Sequence, residues 1–161
     1  MNCAYNVLQS NKFVFKIDRI PETSFFVTDV NLPEVLVMPA QAGYIDDSGF
    51  VPGSQAEFGN LQIQFTVDDA CENYIEVFNW MTSHRFDNRQ PQKDTLKDHL
   101  SDAFLIVLDN TSNPLLKFKF VDAFPVSLSE LQFETDNEPR PVHATVTLKY
   151  THFVLNNSAN P

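Results

Sequence analysis

The side chains able to hold a metal or form a nucleophile–base pair are few. The chain has four histidines (His84, His99, His143 and His152) and two cysteines (Cys3 and Cys71). Zinc sites draw on histidines and cysteines a few residues apart. No two of these histidines are three or four apart, and neither cysteine lies near one. The acid pairs Asp46–Asp47 and Asp68–Asp69 are adjacent in sequence, and read as turn and helix-cap residues rather than as a general acid and base. There is no G-x-S-x-G elbow. All four glycines (Gly43, Gly49, Gly53 and Gly59) fall in one stretch with no helix start after it, so no phosphate-cradling loop is expected. Lys117-Phe118-Lys119-Phe120 has the outline of an RNA-stacking strand, which needs flexible glycines and a basic surround. Here the alternation places phenylalanines inward and lysines outward. No reactive cluster emerges, so neither an enzyme nor a bound cofactor or metal is expected.

Charge narrows the partners. The 161 residues carry 11 Lys+Arg against 21 Asp+Glu, a net of −10. Such a surface repels polyanions and argues against a nucleic-acid clamp or an anionic-membrane binder. Fifteen phenylalanines exclude a disordered chain, and the length suits one domain, 1–161. Two cysteines are too few for a disulfide framework and fit a reducing compartment. Met1 to Asn11 has neither a basic region nor an apolar run, so the expectation is a chain without a leader, made in the cytoplasm. No apolar run is long enough to cross a bilayer.

These residues must be positioned mainly by strands. Phe13, Phe15 and Ile17 alternate with Lys12, Lys16 and Asp18, and Leu61, Ile63, Phe65 and Val67 alternate with Gln62, Gln64 and Thr66. An extended segment from Phe25 to Leu32 ends at Pro33. Further strands are expected over Ala103 to Leu108, around Leu116 to Phe120, over Ser129 to Glu134 and over His143 to Phe153. A turn is expected over Asp109 to Pro114. A short helix is possible over Thr95 to Leu100. Asn156 to Pro161 read as a disordered tail.

One segment has a period of 3.6. Cys71, Tyr74, Ile75, Phe78 and Met81 make the stripe of an amphipathic helix over about residues 70–83. Asp69 suits its N-cap, with Glu72 completing a capping box. Trp80 falls off this stripe. It either lies over a neighbouring loop or anchors into another subunit, where Trp is enriched. The stretch Met38 to Gly59 is long for a compact domain. It sets Tyr44, Ile45, Phe50 and Val51 around Asp46-Asp47-Ser48-Gly49. That is either a projecting hairpin with apolar arms or a loop folded back on its own sheet.

Four pieces together carry a family resemblance. They are Phe58-Gly59-Asn60-Leu61 with the strand ending Val67-Asp68-Asp69; Asn73-Tyr74 with Asn79-Trp80-Met81; Phe118 to Pro125; and Val146 to Phe153. In this order the chain resembles the tail-tube proteins of contractile-tailed bacteriophages, including tube-like baseplate rings. The resemblance implies a mainly β fold, an antiparallel sandwich or short barrel with one flanking helix. It also implies hexameric rings that stack head-to-tail into a tube.

Several expectations follow from the resemblance. The stretch 38–59 matches a contact between stacked rings, with Tyr44, Ile45, Phe50, Val51 and Trp80 as candidate contacts. Six copies at −10 carry about −60 per ring, and Glu130, Glu134, Asp136 and Glu138 are candidate lumen acids for an acidic conduit that DNA slides through without specific binding. Tail sheath and baseplate proteins are the expected partners. The expected location is the virion tail, assembled in the host cytoplasm, with no membrane. Two alternatives stand: a tube-initiator or tail-end ring of the same fold, and a monomeric β-barrel that binds a small ligand.

Overall fold

The alternating segments form strands, and the strands build two layers that share one member. The computed structural model describes residues 7–21, 26–43, 48–51, 53–83, 99–135 and 138–157. Its elements in chain order are β1 (Phe13–Ile17), β2 (Val27–Asn31), β3 (Val35–Val37), β4 (Ala40–Gly43), β5 (Ser48–Val51), β6 (Ala56–Phe58), β7 (Leu61–Thr66), α1 (Glu72–Thr82), β8 (Ser101–Leu108), β9 (Pro114–Leu128), β10 (His143–Lys149) and β11 (His152–Asn157). Every pairing is antiparallel. The architecture is therefore mainly β with one flanking helix. Among the described residues no helix is long and apolar enough to cross a membrane.

The fifteen-residue β9 joins the layers. Its first part pairs with β8 on one side and β11 on the other, and its last part pairs with β10. One layer runs β1-β8-β9-β11, the other β9-β10-β7-β2. The change of layer falls at Asp122, whose φ of 56° lies in the left-handed region that Asp tolerates better than most residues. Asp102 fixes this corner. One carboxylate oxygen accepts the Asp122 N–H at 3.3 Å, and the other pairs with Lys119 at 2.8 Å. The Lys119 hydrogen bond, helped by the Asp122 N–H, holds the Asp102 carboxyl below its usual range despite partial burial.

The space between the layers is filled. Leu61, Ile63 and Phe65 of β7 and Ala144, Val146 and Leu148 of β10 meet Phe15, Ile17, Ala103, Leu105, Phe118 and Phe120 of the other layer. Fully burying a Leu or Phe contributes about 2–3 kcal/mol. Phe58, Phe118, Phe120, Tyr150 and Phe153 add edge and tilted ring contacts, the shortest at 5.1 Å between centroids. The layers do not close into a barrel. Among the described residues β1 pairs only with β8 and β2 only with β7, and a cleft of about 750 Å³ lies between them.

Three expected boundaries are corrected. Ser129 to Glu134 is not a strand. Ser129 is pinned to Thr145 by two hydrogen bonds of 2.8 and 2.9 Å, and the chain then leaves the sheet. His143 to Phe153 is two strands, broken at Tyr150-Thr151, with β10 in one layer and β11 in the other. Asn156 and Asn157 are not part of a loose tail, because they pair with Lys117 and Leu116. Residues 158–161, and residues 95–98 of the possible short helix, lie outside the described residues.

The helix is corrected in start and in phase. It begins at Glu72 rather than Ala70, and its N-cap is Cys71 at φ 56° with no side-chain cap bond. The expected Asp69–Glu72 box gives way to a reciprocal pair. The Asn73 N–H donates to Asp68 Oδ1 and the Asp68 N–H to Asn73 Oδ1, each at 3.3 Å. Asn73 Nδ2 also donates to the Thr66 carbonyl at 2.8 Å, tying the helix to the end of β7. The buried face is Asn73, Val77 and Trp80, whereas Ile75 and Phe78 of the expected stripe stand half-exposed. Asn73→Ala keeps the backbone N–H bond to Asp68 but strips the two side-chain bonds, to the Asp68 N–H and the Thr66 carbonyl. A loss of about 2 kcal/mol is expected in urea unfolding. Asn73→Asp recovers little of it, since a carboxylate cannot donate to Thr66.

Candidate assembly surfaces

The stretch after β2 is a two-tier ribbon. β3 pairs with β6 and β4 with β5, and neither pair hydrogen-bonds to the main layers. Its root is held by the Gly59 N–H donating to the Glu34 carbonyl at 3.0 Å and by Phe58 packing on Tyr150 and Phe153. Gly53 is required where the strands close, because a Cβ there would collide with the Met38 carbonyl oxygen. Successive strand residues face opposite sides. Val35, Leu36 and Val37 are nonetheless all about half-exposed, so both faces of the ribbon present apolar residues, with Glu57 beside Leu36. Met38 and Val51 are also exposed, and Phe50 reaches 71%. Tyr44 and Ile45 lie outside the described residues.

The second surface is the layer β9-β10-β7-β2. It has two lateral edges with no partner strand among the described residues, β2 and the last part of β9. Phe124 and Val126 stand 39% and 40% exposed on the β9 edge. One sheet face is buried in the core. The other carries a row that crosses all four strands, Ser127–Thr147–Gln62–Asn31, and beside it Thr145–Gln64–Asp29. The ribbon leaves this layer beyond Asn31 and returns at Leu61. The connector 129–142 leaves from the opposite end, where Thr66 pairs with His143.

Trp80 is only 4% exposed, and its indole N–H donates to the His99 carbonyl at 2.8 Å. The ring is inside the chain, over the segment that precedes β8. Ile75 and Phe78, which sequence reasoning assigned to the core, are the apolar residues that the helix offers outward. Glu130, Glu134 and Glu138 are exposed on the connector, with Glu138 3.7 Å from Arg140; Asp136 lies outside the described residues. The connector lines a cleft of about 570 Å³ with Phe133, Pro139 and His143. Among the described residues no three His, Cys, Asp or Glu side chains gather as a metal site would need.

Tyr150 gives a pH signature for the root of the ribbon. Its hydroxyl is buried, and burial pushes its pKa up to about 12. A pKa raised on folding stabilises below the unfolded value, near 10, and loses that contribution as pH rises toward 12. The loss is at most about 2–3 kcal/mol. Difference absorbance titration against Tyr150→Phe should show one tyrosine ionising late, and the variant should lose less stability across that range.

No family model matches the chain. In sequence it is similar to the tail tube terminator protein of Enterobacteria phage T4, 28% identical over 107 residues. The match covers 63% of this chain and 58% of that protein's length. In structure it is similar to a chain of the sheath–tube complex of an extracellular contractile injection system in its extended state. That pair has a TM-score of 0.66 and 14% identity, covering 96% of this chain and 94% of the other. Hcp1 from Flavobacterium johnsoniae superposes with a TM-score of 0.53 and 17% identity, covering 91% of this chain and 96% of that one. At these identities the structural likeness establishes the fold.

Proposed function

Because the chain has the fold of tail tube and Hcp proteins, we propose that it is a structural ring subunit of a contractile tail or injection tube. Copies join edge to edge, β2 of one against the last part of β9 of the next, so that four-stranded layers become a continuous wall. The two unpartnered edges of one layer are the observation that carries this reading. An open sheet edge is a template for pairing, and cyclic closure removes it. Strands spaced about 4.8 Å apart make each layer about 19 Å wide, so six copies enclose a circle roughly 37 Å across at the backbone. The filled interior between the layers leaves little room for the ligand-binding alternative.

Stacking is head-to-tail. The ribbon and the connector 129–142 leave the layer from opposite ends, so each ring has two unlike faces and the contact propagates. The ribbon, with Phe50 and Val51 exposed, is the inter-ring contact. The tube serves as a conduit for DNA inside a sheath seated on a baseplate, in a particle assembled in the host cytoplasm. The test is electron microscopy of the purified chain at high concentration: rings or stacked rings are expected, and a chain that stays monomeric at all concentrations refutes the reading. A second reading, a ring that ends the tube, is supported by the likeness to the T4 terminator. A shaft subunit elongates with concentration, whereas an end ring stops at one or two layers.

A further inference from the structure

The ring reading leaves open what the passing polymer meets. In the ring reading the face of β9-β10-β7-β2 opposite the core lines the bore, with β1 and β8 packed on its other side. A wall closed with the bulkier layer outside puts Gln62 and its row inward. Directly paired residues on antiparallel strands share a face, so that face can be read from the registers. It carries Ser127, Thr147, Gln62 and Asn31 in one row and Thr145 and Gln64 in the next, with Phe124 beside Lys149 at the β9 edge. Its fixed charges are Asp29 and Lys149, which cancel, and His143 stands at its end beside Thr66. The net charge of −10 therefore lies elsewhere on the chain.

We propose that the bore is lined by an uncharged amide and hydroxyl surface, and that the acids Glu130, Glu134 and Glu138 form a collar at one mouth of each ring. The proposal rests on the ring reading and replaces the acidic lumen expected from the sequence. The connector that carries these glutamates leaves the wall at the Thr66–His143 end, away from the central rows. A polyanion gains affinity from a surface by neutralising phosphates and releasing counterions. Amides and hydroxyls offer no such gain. They also add no repulsion, so the polymer passes along the wall with little dependence on salt.

The test uses rings assembled from the full chain and short duplex DNA as the probe. Gln62→Lys/Gln64→Lys adds charge to the wall. Asn79→Lys/Asn110→Lys adds the same charge at exposed positions on the helix and the β8–β9 turn. Wild-type rings and the second variant should retain little DNA at any salt concentration. The wall variant should retain at least about tenfold more at 50 mM salt and lose it by 200 mM. Equal retention by the two variants overturns the proposal. So does strong retention by Glu130→Gln/Glu134→Gln/Glu138→Gln rings alone, which would mean an acidic bore. A reconstruction of the ring with Gln62 on its outer radius overturns it while leaving ring formation intact. If the wild-type chain forms no rings, it is the ring reading that fails.

Discussion

Trp80→Ala lowers the stability of the chain by about 3–5 kcal/mol, the range for removing a buried aromatic side chain. The indole is 4% exposed and belongs to the same core cluster as Val77 and Ile20. Its N–H satisfies the His99 carbonyl at 2.8 Å, and the Arg19 guanidinium lies 5.9 Å from its ring centre. Truncation leaves a cavity and removes the hydrogen bond to His99 together. Domains of this size are commonly stable by about 5–15 kcal/mol, so the loss is about a fifth of the total or more. Trp80→Phe keeps most of the apolar volume and drops the hydrogen bond, and should cost about 1–2 kcal/mol. Both are measured by urea unfolding of the monomer. A Trp80→Ala variant with an unchanged midpoint but no rings would instead place the ring between subunits.

The same residue shows where the sequence ceases to be readable. The period of the helix is plain, but its phase is not. Cys71, Tyr74, Ile75, Phe78 and Met81 form the larger apolar stripe, so hydropathy alone points that face inward. Two facts outweigh it. Trp80 is the largest side chain on the helix, and Asn73 is drawn inside by three hydrogen bonds to Thr66 and Asp68. A buried polar residue that ties its helix to the preceding strand has no hydropathy signal. The apolar residues left outside, Ile75 and Phe78, are then surface available to another copy.

Strands were legible where one face is buried and the other wet, as in β1 and β7. The length of β9 was not, because it changes layer at Asp122, and a corner held by a carboxylate and a left-handed residue leaves no periodic trace. The break after Lys149 was hidden for the same reason, since Tyr150 and Phe153 continue the aromatic pattern across it. The ribbon was marked by its glycines and apolar residues. The candidate lumen acids rest on charge and on nearness to the penultimate strand. Only the pairing registers reveal that Gln62, Gln64, Thr145 and Thr147 share one face and that Glu130 does not.

Replacing Val37 and Phe50 together by Asp is expected to leave a folded monomer and abolish stacking. Among the described residues the ribbon strands pair only with each other, so the two layers do not depend on their apolar surface. The midpoint of urea unfolding should therefore move little, within about 0.5 kcal/mol, as surface substitutions generally do. Assembly responds differently. Phe50 is 71% exposed and Val37 52%, and aromatic side chains of this kind dominate interfaces once buried. Each Asp must be desolvated in the contact without a partner, and the penalty repeats at every copy around a ring. Particles counted by electron microscopy should be single rings or monomers, at less than about a tenth of the wild-type stacked fraction, a drop that about 1.4 kcal/mol per contact already produces. The apolar residues on both faces of the ribbon sharpen this expectation. A one-sided contact would leave Leu36 or its neighbours Val35 and Val37 in water, so covering the ribbon takes two surfaces. Leu36→Asp and Val35→Asp, on opposite faces, should then each weaken stacking alone. If only one of them does, the ribbon lies flat on a single neighbour.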